Sequence, residues 1–496
     1  MLNLFLALAS GALLALVFPR YNLVWLAPAA LTPMLVALAR EPRPWRRFVL
    51  GWSAGLVYWL AVCYWIQWVL ADYAGVGQAG GWALFALFCV AKSIHMGVFA
   101  AAAGILMRRW WAVPAVAALW TAIEATHGFF GFAWLALGNI AIDMSVPLRL
   151  APITGVWGIS FVLAMMSTAL ALALLRRPRV QLAWLLLLPF LGFLPPLPPA
   201  LRGQQTALLL QSNVSETADW TPESLDRGEQ EQLSLTLRSA MAQVAHPPSI
   251  IVWPEVPAPF YYFDDPHFRA YIDNLARTTR AYLLIGTVAH TPEGGPLNSA
   301  VLVSPAGTPI SRYDKVNLVP FGEFVPWPFR AIVKQISTEA GDFQPGRRIV
   351  VSPADGHKIG TFICYESVFP NFVRQFAANG AEVLFNISND GWFGKSAARY
   401  QHLLIVRMRA AENRRWILRA TNDGITATID SAGRVRGQLP MYEQAASYTG
   451  FNYEAQQTFY TRHGDWFPWL CGVLAALCLL AATIPAYRLG NGRRTP

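Results

Sequence analysis

Read from the first residue, the chain sets its hydrophobic positions in long unbroken runs rather than in helical or strand alternation. Seven such segments precede Arg202, at about 2–18, 23–39, 48–70, 82–106, 111–126, 154–175 and 180–195, and an eighth covers about 466–487. Several approach the roughly 20 residues a helix needs to cross a bilayer. The pattern therefore predicts an α-helical polytopic membrane domain of about eight transmembrane helices. The first segment has no basic stretch ahead of it and further apolar segments follow, which predicts a retained helix rather than a cleaved signal.

Between the seventh and eighth segments the pattern changes. Short β-rich runs are expected as strands at 206–212, 249–253, 282–288, 298–304, 357–364 and 381–387, with a hairpin of 415–421 and 424–430 around Asn422-Asp423-Gly424. Helices are expected at 222–245, 266–280, 368–379 and 396–413. Such alternation predicts an α/β domain with sheet buried under helices. The organisation read from the sequence is thus 1–202, seven membrane helices; 203–462, the α/β domain; and 463–496, a last helix and tail.

Composition sharpens this division. The chain is 54% hydrophobic and 14% charged, with 20 Trp, too apolar for an ordinary soluble protein and rich in a residue that favours membrane interfaces. The net charge of +10 is unevenly spread. Residues 204–465 hold 23 Lys and Arg against 25 Asp and Glu, whereas the remainder holds 16 against 4. A nucleic-acid-binding protein would concentrate basic residues on its polar domain, so that class is excluded. The basic residues instead follow every second apolar segment: Arg40, Arg43, Arg46 and Arg47, then Arg108 and Arg109, then Arg176, Arg177 and Arg179, then Arg488, Arg493 and Arg494. Basic loops stay cytoplasmic. Both termini are expected inside and the α/β domain outside. Lys92, His95 and Glu124 fall within apolar segments and are expected to pair with one another or to sit near an interface.

Of five cysteines only Cys364 lies in the polar domain, so no disulfide can form within it, and no Cys/His spacing typical of a metal site occurs. Cys364 ends the apolar run Gly360–Cys364 just ahead of a new element near Pro370, a position where backbone N–H groups can face an oxyanion. Glu255 closes Ile250–Glu255 beside Trp253 and Pro254, where desolvation favours a general base. Lys315 sits in Tyr313-Asp314-Lys315, where a cation can hold an anionic transition state or lower a thiol's pKa. Taken singly, the three equally fit a buried core thiol, a turn acid and a solvated charge.

Together, and in this order, Trp253-Pro254-Glu255, Tyr313-Asp314-Lys315 with Leu318-Val319-Pro320-Phe321-Gly322-Glu323, and Ile363-Cys364-Tyr365-Glu366 closely resemble the Glu-Lys-Cys triad of the nitrilase superfamily. With the apolar segments around them, they resemble more narrowly the apolipoprotein N-acyltransferases of bacterial inner membranes. The resemblance covers essentially the whole chain. It implies an α-β-β-α sandwich domain on the periplasmic side, with Glu255 as general base, Lys315 as charge stabiliser and Cys364 as nucleophile. Glu323, Tyr365, Glu366 and Trp220 would support the site, and the N–H of residue 365 would share an oxyanion hole with Lys315. It further implies a phospholipid acyl donor, expected to be phosphatidylethanolamine, and a diacylglyceryl apolipoprotein acceptor, with no cofactor or metal. No oligomerisation signal stands out, so a monomer is expected.

Two rival readings keep their place at this stage. A membrane-tethered amidase would resolve the same acyl-enzyme with water. A transporter or receptor would use the outer domain only to bind. Aromatic-rich loops at 256–263, 324–329 and 388–394 are expected to supply lipid contact, at least one of them as a lid.

Overall fold

The computed structural model describes residues 1–72, 76–129, 131–215, 221–243, 246–255, 260–324 and 343–483. The apolar part forms helices, but among the described residues not eight long ones. Gly77–Leu106 and Val156–Leu174 are long and apolar enough to cross a membrane. Pro44–Val62 and Trp65–Asp72 make a third span if the 63° bend between them is counted within one crossing. Leu2–Leu16, Val24–Arg40, Arg179–Phe193 and Trp466–Ala482 are apolar but shorter. In two of the expected segments a proline lies inside 3₁₀-helix: Pro28 in Val24–Ala29 and Pro189 in Arg179–Phe193. Proline removes an N–H donor and clashes with the preceding turn, which blocks a continuous α-helix there.

Twelve strands follow among the described residues: β1 (Gln205–Gln211), β2 (Ile250–Val252), β3 (Tyr282–His290), β4 (Pro296–Val303), β5 (Pro309–Asp314), β6 (Val351–Ala354), β7 (His357–Ile363), β8 (Val383–Ser388), β9 (Ile417–Thr421), β10 (Ala427–Ile429), β11 (Val435–Gln438) and β12 (Ala445–Phe451). They form two six-stranded sheets, in the orders β12-β1-β2-β3-β4-β5 and β11-β10-β9-β8-β7-β6. Each is mixed, with three parallel strands at its heart: β1, β2 and β3 in the first, β7, β8 and β9 in the second. Alternation along the strands builds the layers. Leu208, Leu210, Ile251, Trp253, Leu283 and Ile285 pack with Phe268, Ile272 and Leu275 of helix Pro266–Thr279. Their neighbours Ala207, Leu209, Ile250, Val252 and Leu284 belong to the core shared with the second sheet. Successive strand residues point to opposite faces, so one sheet serves both packings.

Helix Ala398–Asn413 covers the second sheet and is buried along almost its whole length. A helix buried all round needs a partner on each side, and the apolar helices are the second partner. Gln401 donates to the carbonyls of Pro19 (2.7 Å) and Val62 (3.1 Å) and accepts from the Trp134 indole at 2.8 Å. Glu412 accepts from the backbone N–H of Val156 at 2.9 Å.

Candidate active site

Strand direction decides which side chains can meet. Because β3, β4 and β5 are successively antiparallel, β5 runs in the same direction as β2. Glu255, just past β2, and Lys315, just past β5, therefore leave the first sheet at the same edge. The end of β1 meets the end of β9, where Asn213 N donates to Asn422 O at 2.7 Å. The carboxyl ends of the central strands in both sheets thus lie together, and Cys364 follows β7 at that end. Sites in sheets of this kind form beyond the carboxyl ends of parallel strands.

Lys315 Nζ lies 2.9 Å from Glu255 Oε1 and 3.0 Å from Glu323 Oε1. Asn298, near the start of β4, donates to both carboxylates at 2.7 Å. The remaining oxygens are held by backbone: Asn389 N–H reaches Glu255 Oε2 at 2.8 Å, and Val319 N–H reaches Glu323 Oε2 at 2.8 Å. Lys315 is 1% exposed and Glu255 5%. Burial opposes the Lys315 charge, but Glu255 and Glu323 outweigh it and raise the ammonium's pKa well above the ordinary value. A buried charge persists only when paired and hydrogen-bonded in this way.

Cys364 is buried at the same end. Its φ of +48° places a non-glycine residue in the left-handed region, at a cost of about 1–3 kcal/mol. The chain then turns through the 3₁₀ segment Cys364–Val368, whose first N–H groups lack partners within the turn. Burial pushes the Cys364 thiol well up, the Glu255 charge adds to this, and the Lys315 charge opposes it. The thiol is therefore protonated at rest. Passing its proton to Glu255 would leave the net charge of the buried cluster unchanged.

Glu366 ties this turn to the Lys315 strand. It accepts from Tyr313 Oη (2.7 Å), Val316 N (2.7 Å), Asn317 N (3.1 Å) and Ile363 N (2.7 Å). Burial still raises its pKa to about 7. Tyr365 turns away from the cluster and donates its hydroxyl to the Gly131 carbonyl at 2.7 Å. Trp220 lies outside the described residues. Among the described residues no group of three or more His, Cys, Asp or Glu is arranged to hold a metal ion.

Residues 10–169 match the family described as Apolipoprotein N-acyltransferase N-terminal domain, and residues 211–455 match Carbon-nitrogen hydrolase. The apolipoprotein N-acyltransferase of Geobacter metallireducens is 34% identical over 510 residues, covering 97% of this chain and 96% of its own. That of Azotobacter vinelandii is 34% identical over 511 residues, covering 96% and 93%. The chain belongs to the apolipoprotein N-acyltransferase family. Among solved structures, an amidase from Nesterenkonia sp. AN1 is 17% identical with a TM-score of 0.39, covering 53% of this chain and 96% of its own.

In this apolipoprotein N-acyltransferase several residues of the candidate site escape a reading of its motifs. Asn298 bridges both carboxylates from within an ordinary-looking strand, and Asn389 acts through its backbone. Behind Cys364, Asp390 is fully buried between Arg419 (2.6 Å) and His402 (2.9 Å), and His402 also reaches the Cys364 carbonyl at 3.1 Å. Burial alone would raise the Asp390 pKa; Arg419 and His402 hold it far below the usual range. The string Ser388-Asn389-Asp390-Gly391, drawn into the lipid-contact expectation only, was the available signal.

The aromatic loops divide. Phe260 and Tyr262 are core residues, packed with Trp253 and Phe268, which corrects the expectation of lipid contact for them. Residues 256–259 and 325–329 lie outside the described residues. Trp392 is 42% exposed, whereas Phe393 packs against Trp65 and Trp134. Within the apolar segments, Lys92 and Glu124 form no ion pair among the described residues. Lys92 donates to the Phe132 carbonyl, and Glu124 accepts from Leu137 N–H.

Proposed function

We propose that the protein moves an acyl chain from a membrane phospholipid to the α-amino group of an N-terminal S-diacylglyceryl-cysteine in lipoproteins. The observation that carries this is the buried Glu255–Lys315 pair, 2.9 Å apart, with the charges of both acting on the Cys364 thiol. Glu255 takes the thiol proton as the sulfur attacks the ester carbonyl. The Lys315 ammonium and the N–H of residue 365 steady the oxyanion. Collapse expels the glycerol oxygen, which takes the proton back from Glu255 and leaves as lysophospholipid, with a thioester on Cys364. The acceptor amine then attacks the thioester, Glu255 removes its proton, and the amide leaves as the thiol re-forms. One hard transfer becomes two easier ones.

The reading extends to architecture. Eight crossings, some short, place both termini in the cytoplasm and the catalytic domain in the periplasm of the inner membrane; the alternating arginine clusters support this. Phosphatidylethanolamine is the expected donor, and the working unit is a monomer. Incubation of the full chain with phosphatidylethanolamine and a diacylglyceryl-cysteine peptide tests the reading. N-acyl peptide and lysophospholipid in equal amounts are expected. Free fatty acid with unchanged peptide would point to a tethered hydrolase, and no lipid turnover to a binding domain.

A further inference from the structure

Lys92 lies within the apolar helix Gly77–Leu106 and is 6% exposed. Its Nζ donates to the Phe132 carbonyl at 3.0 Å and stands 5.4 Å from the Trp59 ring and 5.6 Å from that of Phe132. No carboxylate pairs with it among the described residues. Glu124 lines the same chamber, but its Oε1 accepts from Leu137 N–H at 2.7 Å. An ammonium inside an apolar helix is costly, and such residues mark function by default. A methionine would fill the space without that cost.

The carbonyl that Lys92 grips neighbours the one that Tyr365 uses. Gly131, at φ +72°, turns the chain so that its own carbonyl accepts the Tyr365 hydroxyl at 2.7 Å. The turn is fastened behind by Gly131 N to Gly128 O (3.0 Å) and Phe132 N to His127 O (3.3 Å). Two consecutive carbonyls are thus held, one by the apolar helix Gly77–Leu106 and one by the residue that follows Cys364. We infer that Lys92 is a positioning residue: it fixes the 131–132 turn so that Tyr365, and with it the backbone N–H that faces the oxyanion, stays aligned on Cys364. This rests on the nucleophile role proposed for Cys364.

The test is single-turnover acylation of Cys364 in the full-length protein, read by intact mass across a titration of phosphatidylethanolamine. Lys92→Met is expected to lower the maximal rate constant about 10- to 100-fold, as misplacement of a catalytic group does, with the half-saturating lipid concentration unchanged. Lys92→Arg, which keeps a donor, recovers most of the rate. Tyr365→Phe reproduces the loss, and Lys92→Met/Tyr365→Phe is no worse than the weaker single variant, because both act through one turn. Losses that multiply, a wild-type rate in Lys92→Met, or a change confined to half-saturation would each overturn the inference. Should Lys92→Met not fold, Lys92→Leu, which likewise lacks a donor, takes its place in the cycle and non-additivity remains the deciding result. Failure of the wild type to acylate Cys364 would instead strike the nucleophile assignment itself.

Discussion

At their shared end the first sheet presents three charged side chains, Glu255, Lys315 and Glu323, whereas the second presents one neutral sulfur on a strained turn. The charged members satisfy one another: each carboxylate has Lys315, Asn298 and a backbone N–H. Cys364 has only the neutral Ser388 hydroxyl as a side-chain hydrogen-bond partner, and the stability of its turn comes from Glu366, Asp390 and their donors. Chemistry and folding are therefore bound together in the first sheet and separable in the second.

The sharpest way to break this contrast is Lys315→Met against Cys364→Ala. Removing Lys315 leaves two buried carboxylates without a cation, which should cost about 3–5 kcal/mol of unfolding free energy along with all activity. Cys364→Ala should also abolish activity while stability changes by only about 1 kcal/mol. Denaturant unfolding of both variants in detergent checks the pair; equal losses would erase the distinction.

Glu255→Gln comes next. Acylation should fall about 10²- to 10⁴-fold with the proposed general base gone. Because the Glu255 charge raises the Cys364 thiol pKa while Lys315 lowers it, the substitution should bring that pKa down. Alkylation of Cys364 by iodoacetamide at pH 9 should then speed up as acylation slows. Slower alkylation would contradict the assigned electrostatics.

A smaller effect separates the second sheet's two buried acids. The Glu366 pKa, raised to about 7 by burial, stands above its usual value. Its stabilising contribution is whole below the unfolded pKa of about 4.3 and is lost as pH rises through 7, a change of roughly 3–4 kcal/mol. Asp390, held low, has the opposite sign and loses its contribution only in strong acid. Stability measured from pH 5 to 8 should decline from this source, and Glu366→Gln should flatten the slope. Smallest of all, Trp392→Ala should leave stability within about 0.5 kcal/mol. It should raise the lipid concentration for half-maximal rate about fivefold, the worth of roughly 1 kcal/mol of apolar contact.

Where the sequence spoke clearly, the reason is physical. Runs such as Ile250-Ile251-Val252 and Phe385 within Val383–Ser388 are buried on both faces and read as strands at once. β5, β6 and β11 are edge or near-edge strands with exposed or proline-bearing positions, Pro309 and Pro353 among them, so no apolar run announces them. β12 pairs with β1 across most of the domain, and its half-buried residues carry too weak an alternation to be seen. The apolar segments were visible as composition, but the prolines within two of them decide local helix type. Glu255, Lys315 and Cys364 stood in recognisable strings. Asn298 did not, because a bridging amide is defined by the partners that folding brings to it, and Asn389 contributes only an N–H that every residue type shares.

The most direct test of the account is the mass of the intact protein after brief exposure to phosphatidylethanolamine without acceptor. The account predicts one added acyl chain, mapped to Cys364 by digestion, absent from Cys364→Ala and released on addition of a diacylglyceryl-cysteine peptide. An acyl chain on another residue, or a Cys364→Ala protein that still acylates the peptide, would contradict it.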